Sequence, residues 1–320
     1  MADVIALLLP FFGLILIGYL AAKATGQPAE ALGWMNTFII FAALPALFFK
    51  LVSRTPVEQL KRADFIFGEI GATYLIFLLI FLIGFFIRRN SFADCTIQSF
   101  AGSYGNIGYM GPGLALLAFG EAAAVPVALI VCFENAAHFI VAPAMMVITG
   151  GDKRPVAEVV ADIARKVALH PFIISTALGF CFAALAIRPP EAFQRLIDYL
   201  AQAAAPCALF AMGVTLALRP LRRVPVEIGY IAVFKLVVLP LTTYAVLSLI
   251  GNFDPVWIYS AMLLSALPTA TNVFVISQQY HVWQERASAS ILIITLLSVL
   301  TLPVLLYLIN SGILPPDLVP

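Results

Sequence analysis

The sequence predicts an all-α polytopic membrane protein. Ten transmembrane helices are expected, in two inverted five-helix repeats with crossed, broken fourth and ninth helices. Three observations predict this. Of 320 residues, 62% are apolar and 11% charged, with a mean hydropathy of +1.02, whereas a soluble domain carries about 25% charged residues. The apolar residues fall into long segments separated by charges and turn residues. Finally, a proline pattern recurs at a spacing of 161 residues.

Composition already excludes several classes. The 35 charged side chains are too few to cover a water-soluble domain of this length, and a net charge of +1 excludes a disordered or nucleic-acid-binding chain. A spanning helix needs about 20 apolar residues, so the apolar content suffices for roughly ten. Cys95, Cys132, Cys181 and Cys207 stand far apart in apolar surroundings and read as buried small hydrophobes. Ala22-Lys23-Ala24 mimics a signal-peptide cleavage site. No basic region precedes that first apolar run, however, so it reads as a retained helix.

The expected segments run 3–22, 31–52, 64–87, 92–119, 121–149, 169–187, 191–218, 225–250, 254–280 and 286–310. Residues 1–149 form the first five-helix repeat and 169–310 the second. Between them, 150–168 reads as a cytoplasmic linker with a short amphipathic helix, and 311–320 is a C-terminal tail. With the N-terminus outside, inward loops hold eleven basic residues: Lys23, Arg88, Arg89, Lys153, Arg154, Arg165, Lys166, Arg219, Arg222, Arg223 and Arg286. Outward loops hold six, namely Lys50, Arg54, Lys61, Arg62, Arg188 and Arg195. This bias places both termini on the non-cytoplasmic side, with the 53–63 loop arguing locally the other way.

The repeat rests on proline. Leu9-Pro10-Phe11 is echoed by His170-Pro171-Phe172, and Leu44-Pro45-Ala46 by Ala205-Pro206-Cys207, both at the same offset of 161. Proline in a spanning helix frees a carbonyl and bends the helix, so its placement carries structural meaning. The same offset carries 105–112 onto 266–273, the two stretches least able to continue a helix. Gly102-Ser103-Tyr104-Gly105-Asn106-Ile107-Gly108-Tyr109-Met110-Gly111-Pro112-Gly113 holds five glycines and a proline, and Pro268-Thr269-Ala270-Thr271-Asn272 interrupts segment 9. Five spans per repeat give the halves opposite topology, as in secondary transporters whose sites form where discontinuous helices meet.

An unwound backbone inside hydrocarbon must line a cavity or be buried by protein. Each break also exposes a half-helix N-terminus suited to a carboxylate. The candidate substrate-binding residues are therefore Gly105, Asn106, Ile107, Gly108, Pro268, Thr269, Thr271 and Asn272. Asn106 and Asn272 either bond a ligand or cap the freed helix ends, and the glycines also serve close packing. Charges within spans are expensive and functional by default. Glu134 reads as a proton-coupling or cavity carboxylate, or as a structural partner. Lys235 reads as an attractor of anions, or as a partner of Glu134 or of freed carbonyls. His138, one turn beyond Glu134, reads as a satisfied interior histidine ahead of a proton relay. Glu69 lies one turn into segment 3, within reach of the interface. No HExxH, GxSxG, Walker or DxxxD pattern occurs, so neither a catalytic role nor a cofactor or metal is expected.

Several windows resemble the auxin efflux carrier family, which includes the plant PIN carriers and bacterial organic-acid transporters. Gly105-Asn106-Ile107-Gly108-Tyr109-Met110-Gly111 is similar to its first crossover. Ala266-Leu267-Pro268 with Phe274-Val275 and Tyr280 is similar to the second, and Gly213 through Pro220 to the exit of segment 7. Lys235, five residues before Pro240, stands where the family commonly has a basic residue. The resemblance implies a scaffold of segments 1, 2, 6 and 7 and a moving domain of 3–5 and 8–10. It also implies elevator-like carriage of organic anions, a homodimer, and residence in the bacterial inner membrane, with a proton or sodium ion as coupling partner. The chain departs from the plant pattern in lacking the long central loop, and in Pro112-Gly113, Val273 and Glu134. A sodium-coupled symporter of the bile-acid type and a passive anion channel are the rival functions. Thr269 and Thr271 would serve the first.

Overall fold

A computed structural model describes residues 2–56, 58, 61–148, 156–218, 224–251 and 253–315. Lys153, Arg154, Arg219, Arg222 and Arg223 of the inward basic set lie outside these residues, as do the start of the linker and the end of the tail. The described residues are helical apart from loops and one isolated bridge. In chain order the helices are α1 (Ala2–Thr25), α2 (Ala29–Ser53), α3 (Ala63–Ile87), α4 (Phe92–Ser103), α5 (Gly111–Phe119) and α6 (Ala124–Ile148). There follow α7 (Val156–Ala168), α8 (Pro171–Ala184), α9 (Glu191–Leu218), α10 (Ile228–Ile250), α11 (Pro255–Ser265), α12 (Asn272–Gln279) and α13 (Gln284–Asn310).

Among the described residues, seven stretches are long and apolar enough to cross a membrane, against ten read from the sequence. The difference has local causes. Segments 4 and 9 are each cut into two short helices, and segment 6 holds only the 14-residue α8. At Gly120, whose φ of 70° suits a residue without Cβ, α5 passes through a short 3-10 turn into α6, so these two merge into one apolar stretch. Proline has two outcomes in these helices. Pro10, Pro143, Pro206 and Pro303 sit inside regular helix. Pro45 and Pro240 instead follow π-helical turns at Ile39–Ala43 and Phe234–Val238. In each case the wide turn contains the carbonyl four residues back, Phe41 or Leu236, against which the proline ring would otherwise press.

The chain divides into two compact units, Met1–Ala63 with Gly108–Cys132 and Ala168–Pro220, and Asp64–Ile107 with Phe133–Val167 and Leu221–Pro320. Each unit draws on both sequence halves, and segments 4 and 5 are shared between them. In the first unit α1 packs on α9 so closely that a Cβ on Gly18 would strike the Phe210 carbonyl, and one on Gly213 the Ile15 carbonyl. Small residues permit this backbone approach, the usual means of association for helices in lipid. Gly213→Ala is expected to destabilise the protein by about 1–3 kcal/mol through overpacking, read as a lower unfolding temperature in detergent. An unchanged temperature would mean the two helices separate without loss. On the other side of this unit, α8 meets α2 through Phe48–Phe172 and Phe49–Phe182 ring pairs at 5.3 and 5.1 Å. Cys181, expected inside, is exposed on α8, and Cys207 is partly exposed.

The second unit is built around α4. Cys95 through Ser103 are all buried, in contact with elements of α10, α12 and α13 and with α3 through Phe77–Phe100 at 4.9 Å. A polar helix core would ordinarily be unfavourable, but the hydroxyls bond back along their own helix. Thr96, Ser99 and Ser103 donate to the carbonyls of Phe92, Cys95 and Ser99 at 2.9, 2.7 and 2.9 Å. Gln98 accepts from Asn90 and donates to the Tyr230 hydroxyl.

Candidate functional site

The centre of the second unit is where two helices stop side by side. α4 begins on a Ser91 cap, whose hydroxyl accepts the Asp94 N–H at 3.1 Å, and ends when Tyr104 turns extended at φ −80°, ψ 103°. α11 begins on an Asp254 cap, accepting from Val256 N–H at 2.8 Å, and ends at Ser265, three residues before Pro268. The freed strands pair antiparallel, Gly105 opposite Thr269. Asn106 N–H donates to the Pro268 carbonyl at 2.8 Å, and Ala270 N–H donates to the Tyr104 carbonyl at 2.9 Å. The Thr269 hydroxyl donates to Ala101 O at 2.6 Å, filling one of the carbonyls left open at the end of α4. Proline at 268 is compatible because its carbonyl, not its missing N–H, makes the bond.

Lys235 reaches this junction from the π turn of α10. The side chain is fully buried, and its ammonium donates to the Ser265 carbonyl at the end of α11, where the helix dipole favours a cation. An added Cβ at Gly105 would lie 3.2 Å from Lys235 Nζ and 3.1 Å from the Leu264 carbonyl, so glycine keeps the bridge and the ammonium together. Of the two structural roles open to Lys235, the freed carbonyl is its hydrogen-bond partner.

A buried polar network adjoins the bridge. Asn272, at the start of α12, donates to the Tyr104 hydroxyl at 2.8 Å, and that hydroxyl donates to Asn135 Oδ1 on α6. The Tyr104 ring lies against His138, with centroids 4.0 Å apart. Nε2 of His138 is 3.1 Å from Glu134 Oε1, and its Nδ1 is 3.0 Å from the Tyr74 hydroxyl. On α3, Glu69 Oε1 accepts from Thr73 Oγ1 at 3.3 Å. Glu69 is 2% exposed and Glu134 3%, so both carboxyl groups are buried in protein. The position of Glu69 along α3 gave no indication of what lies beside it.

The second unit thus brings together Gly105, Asn106, Ile107, Pro268, Thr269, Thr271 and Asn272 with Glu69, Glu134, His138 and Lys235. Gly108 belongs to the first unit. Asn106, Ile107 and Thr269 are buried, and Thr271 and Asn272 are half-buried. Tyr104, Asn135 and Tyr74 were missed by the sequence reading. Tyr104 and Asn135 had a usable signal, standing directly beside Gly105 and Glu134, whereas Tyr74 had none.

A family profile described as "Membrane transport protein" matches residues 3–306 of this chain. The chain belongs to the auxin efflux carrier family. A protein of Rhizobium meliloti (strain 1021) named "Putative malonate transporter" is 67% identical over 320 residues, covering all of both chains. "Uncharacterized transporter YfdV" of Escherichia coli (strain K12) is 23% identical over 315 residues, covering 94% of this chain and 96% of the other, and the protein of that name in Shigella flexneri matches equally. This auxin efflux carrier family member is accordingly an integral membrane protein of a transporter family, and the names its relatives carry are those of transporters rather than enzymes.

Proposed function

We propose that the protein is a secondary carrier of small organic anions, with malonate as the first substrate to try. One observation carries this reading: two helix interruptions from distant parts of the sequence pair at Gly105 and Thr269 with a buried ammonium beside them. Interrupted helices inside a transporter fold characteristically hold an anionic group. The 67% identical relative's name suggests the substrate class. In this reading a carboxylate engages Asn106, Thr271, Asn272 and the backbone around Ile107 and Pro268, within the positive field of Lys235. Movement is elevator-like and driven by an ion gradient. The carrier is a homodimer in the bacterial inner membrane, both termini outside.

Asn106→Ala and Asn272→Ala are each expected to weaken malonate binding about tenfold or more, since a hydrogen bond to a charged group contributes about 1.5–3 kcal/mol. Wild-type affinity in both variants would remove these side chains from the site. The carrier itself is tested by counterflow. Purified protein in liposomes preloaded with unlabelled malonate is expected to take up labelled malonate transiently and saturably. Unsaturable flux without exchange would indicate a channel, and no flux would reject malonate as a substrate.

A further inference from the structure

The first unit holds a cluster of basic side chains that the paired interruptions do not use. Lys50 and Arg54 stand one turn apart at the end of α2, and Arg188 follows α8. All three line one cavity of about 430 Å³, together with Gln194 and Ile197 of α9. Ligand pockets occupy roughly 300–1,000 Å³. Asp198 is the acid of the cluster, its Oδ1 lying 2.7 Å from Lys50 Nζ and 3.6 Å from Arg54 Nη2. Glu121 lines the neighbouring cavity, which Lys50 and Arg54 also border, and Glu191 is taken by Arg195 on its own helix. Three cations against Asp198 and Glu121 leave a positive excess, and among the described residues Arg188 has no ion-pair partner. The loop that carries Arg188 is fixed by its backbone. α8 ends in a Schellman cap, with Ala186 N–H donating to Ala183 O at 3.2 Å and Ile187 N–H to Phe182 O at 2.9 Å. Ala186 is left-handed there at φ 51°, uncommon for a residue with a Cβ. Pro189 and Pro190 follow, and the Gln194 side chain donates to the Pro189 carbonyl at 2.7 Å. Arg188 is thus delivered to the cavity wall on a loop with little freedom left to lose on binding.

A free anion does not account for what flanks the cavity. Ile174, Leu178, Cys181 and Leu185 are all exposed, and their spacing places them on one face of α8 and its cap. At a rise of about 1.5 Å per residue the stripe runs roughly 16 Å toward the Arg188 loop. Ile187, which lines the cavity, is exposed as well. In a membrane such a face meets acyl chains, and charges at the ends of apolar helices stand at the level of the lipid phosphates. We propose that this cavity binds the phosphodiester of an anionic phospholipid, with an acyl chain along the exposed face of α8. Arg188 and Arg54 clasp the phosphate, whose oxygens match the guanidinium fork. Lys50, held by Asp198, adds positive charge from the cavity wall. A lipid seated there ties the end of α2 to the loop between α8 and α9, so its binding stabilises the protein. This inference is independent of the carrier reading and stands whether or not malonate is carried.

The test titrates purified protein in neutral detergent with short-chain phosphatidylglycerol, or with phosphatidylcholine of the same chains. Bound lipid is counted by native mass spectrometry while the unfolding temperature is followed. Saturable binding of a single phosphatidylglycerol per chain is expected, with a raised unfolding temperature, and no such effect of phosphatidylcholine. Arg188→Gln is expected to weaken the binding about tenfold, and Arg54→Gln combined with it to abolish the saturable component. Arg188→Gln alone decides the matter should the double variant be unstable, because Arg188 has no ion pair to lose. Arg195→Gln, outside the cavity lining, is expected to bind as wild type does. Equal binding of phosphatidylcholine, or wild-type affinity in Arg188→Gln, overturns the proposal. So does displacement of the lipid by equimolar inorganic phosphate or malonate, which would make the cavity a site for a free anion. Disulfide cross-linking of two copies through Cys181 in vesicles would place a second copy on the α8 face and overturn it as well.

Discussion

Replacing Lys235 with methionine is expected to destabilise the protein by about 1.5–3 kcal/mol, the range for losing a hydrogen bond made by a charged group. Two losses combine. The Ser265 carbonyl at the end of α11 loses its donor. The space beside Gly105 that Nζ occupies is filled by an apolar group. The measurement is the unfolding temperature in detergent. A variant as stable as wild type would mean that the bond from Lys235 to the end of α11 contributes nothing to the fold.

The second large effect is expected at Tyr104. Tyr104→Phe keeps the ring against His138 but deletes the hydroxyl that accepts from Asn272 and donates to Asn135. Buried polar groups that lose a partner cost about 1–3 kcal/mol each, so a total near 2–4 kcal/mol is expected. Asn272 also loses the contact that orients it. Malonate counterflow should therefore fall together with stability, whereas a purely structural tyrosine would lower stability alone. Full counterflow with wild-type stability would show that the hydroxyl organises nothing.

How much of this was readable in advance depends on the kind of interaction. The interruptions announce themselves because glycine and proline act locally: five glycines and Pro112 between 102 and 113 cannot carry a regular helix, and neither can Pro268 with its neighbours. Glu134, His138 and Lys235 stand out because charge inside an apolar run needs an explanation. The burial of Glu69 in protein was not legible, because its position along α3 says nothing about which helix packs beside it. The partnership of Tyr104 with Asn272 spans 168 residues, and no local rule pairs them. The π turns ahead of Pro45 and Pro240 were equally hidden, since the same proline is accepted inside regular helix at Pro10 and Pro206. The compact units could not be read from segment order either, because they divide segments 4 and 5 within their length.

The most direct measurement of the central claim is hydrogen–deuterium exchange of the reconstituted protein with and without saturating malonate. Binding at the paired interruptions is expected to slow exchange in peptides covering 104–110 and 266–272, with smaller changes around Lys235. Protection confined to the first unit, for example around Lys50, Arg54 and Arg188, would contradict it.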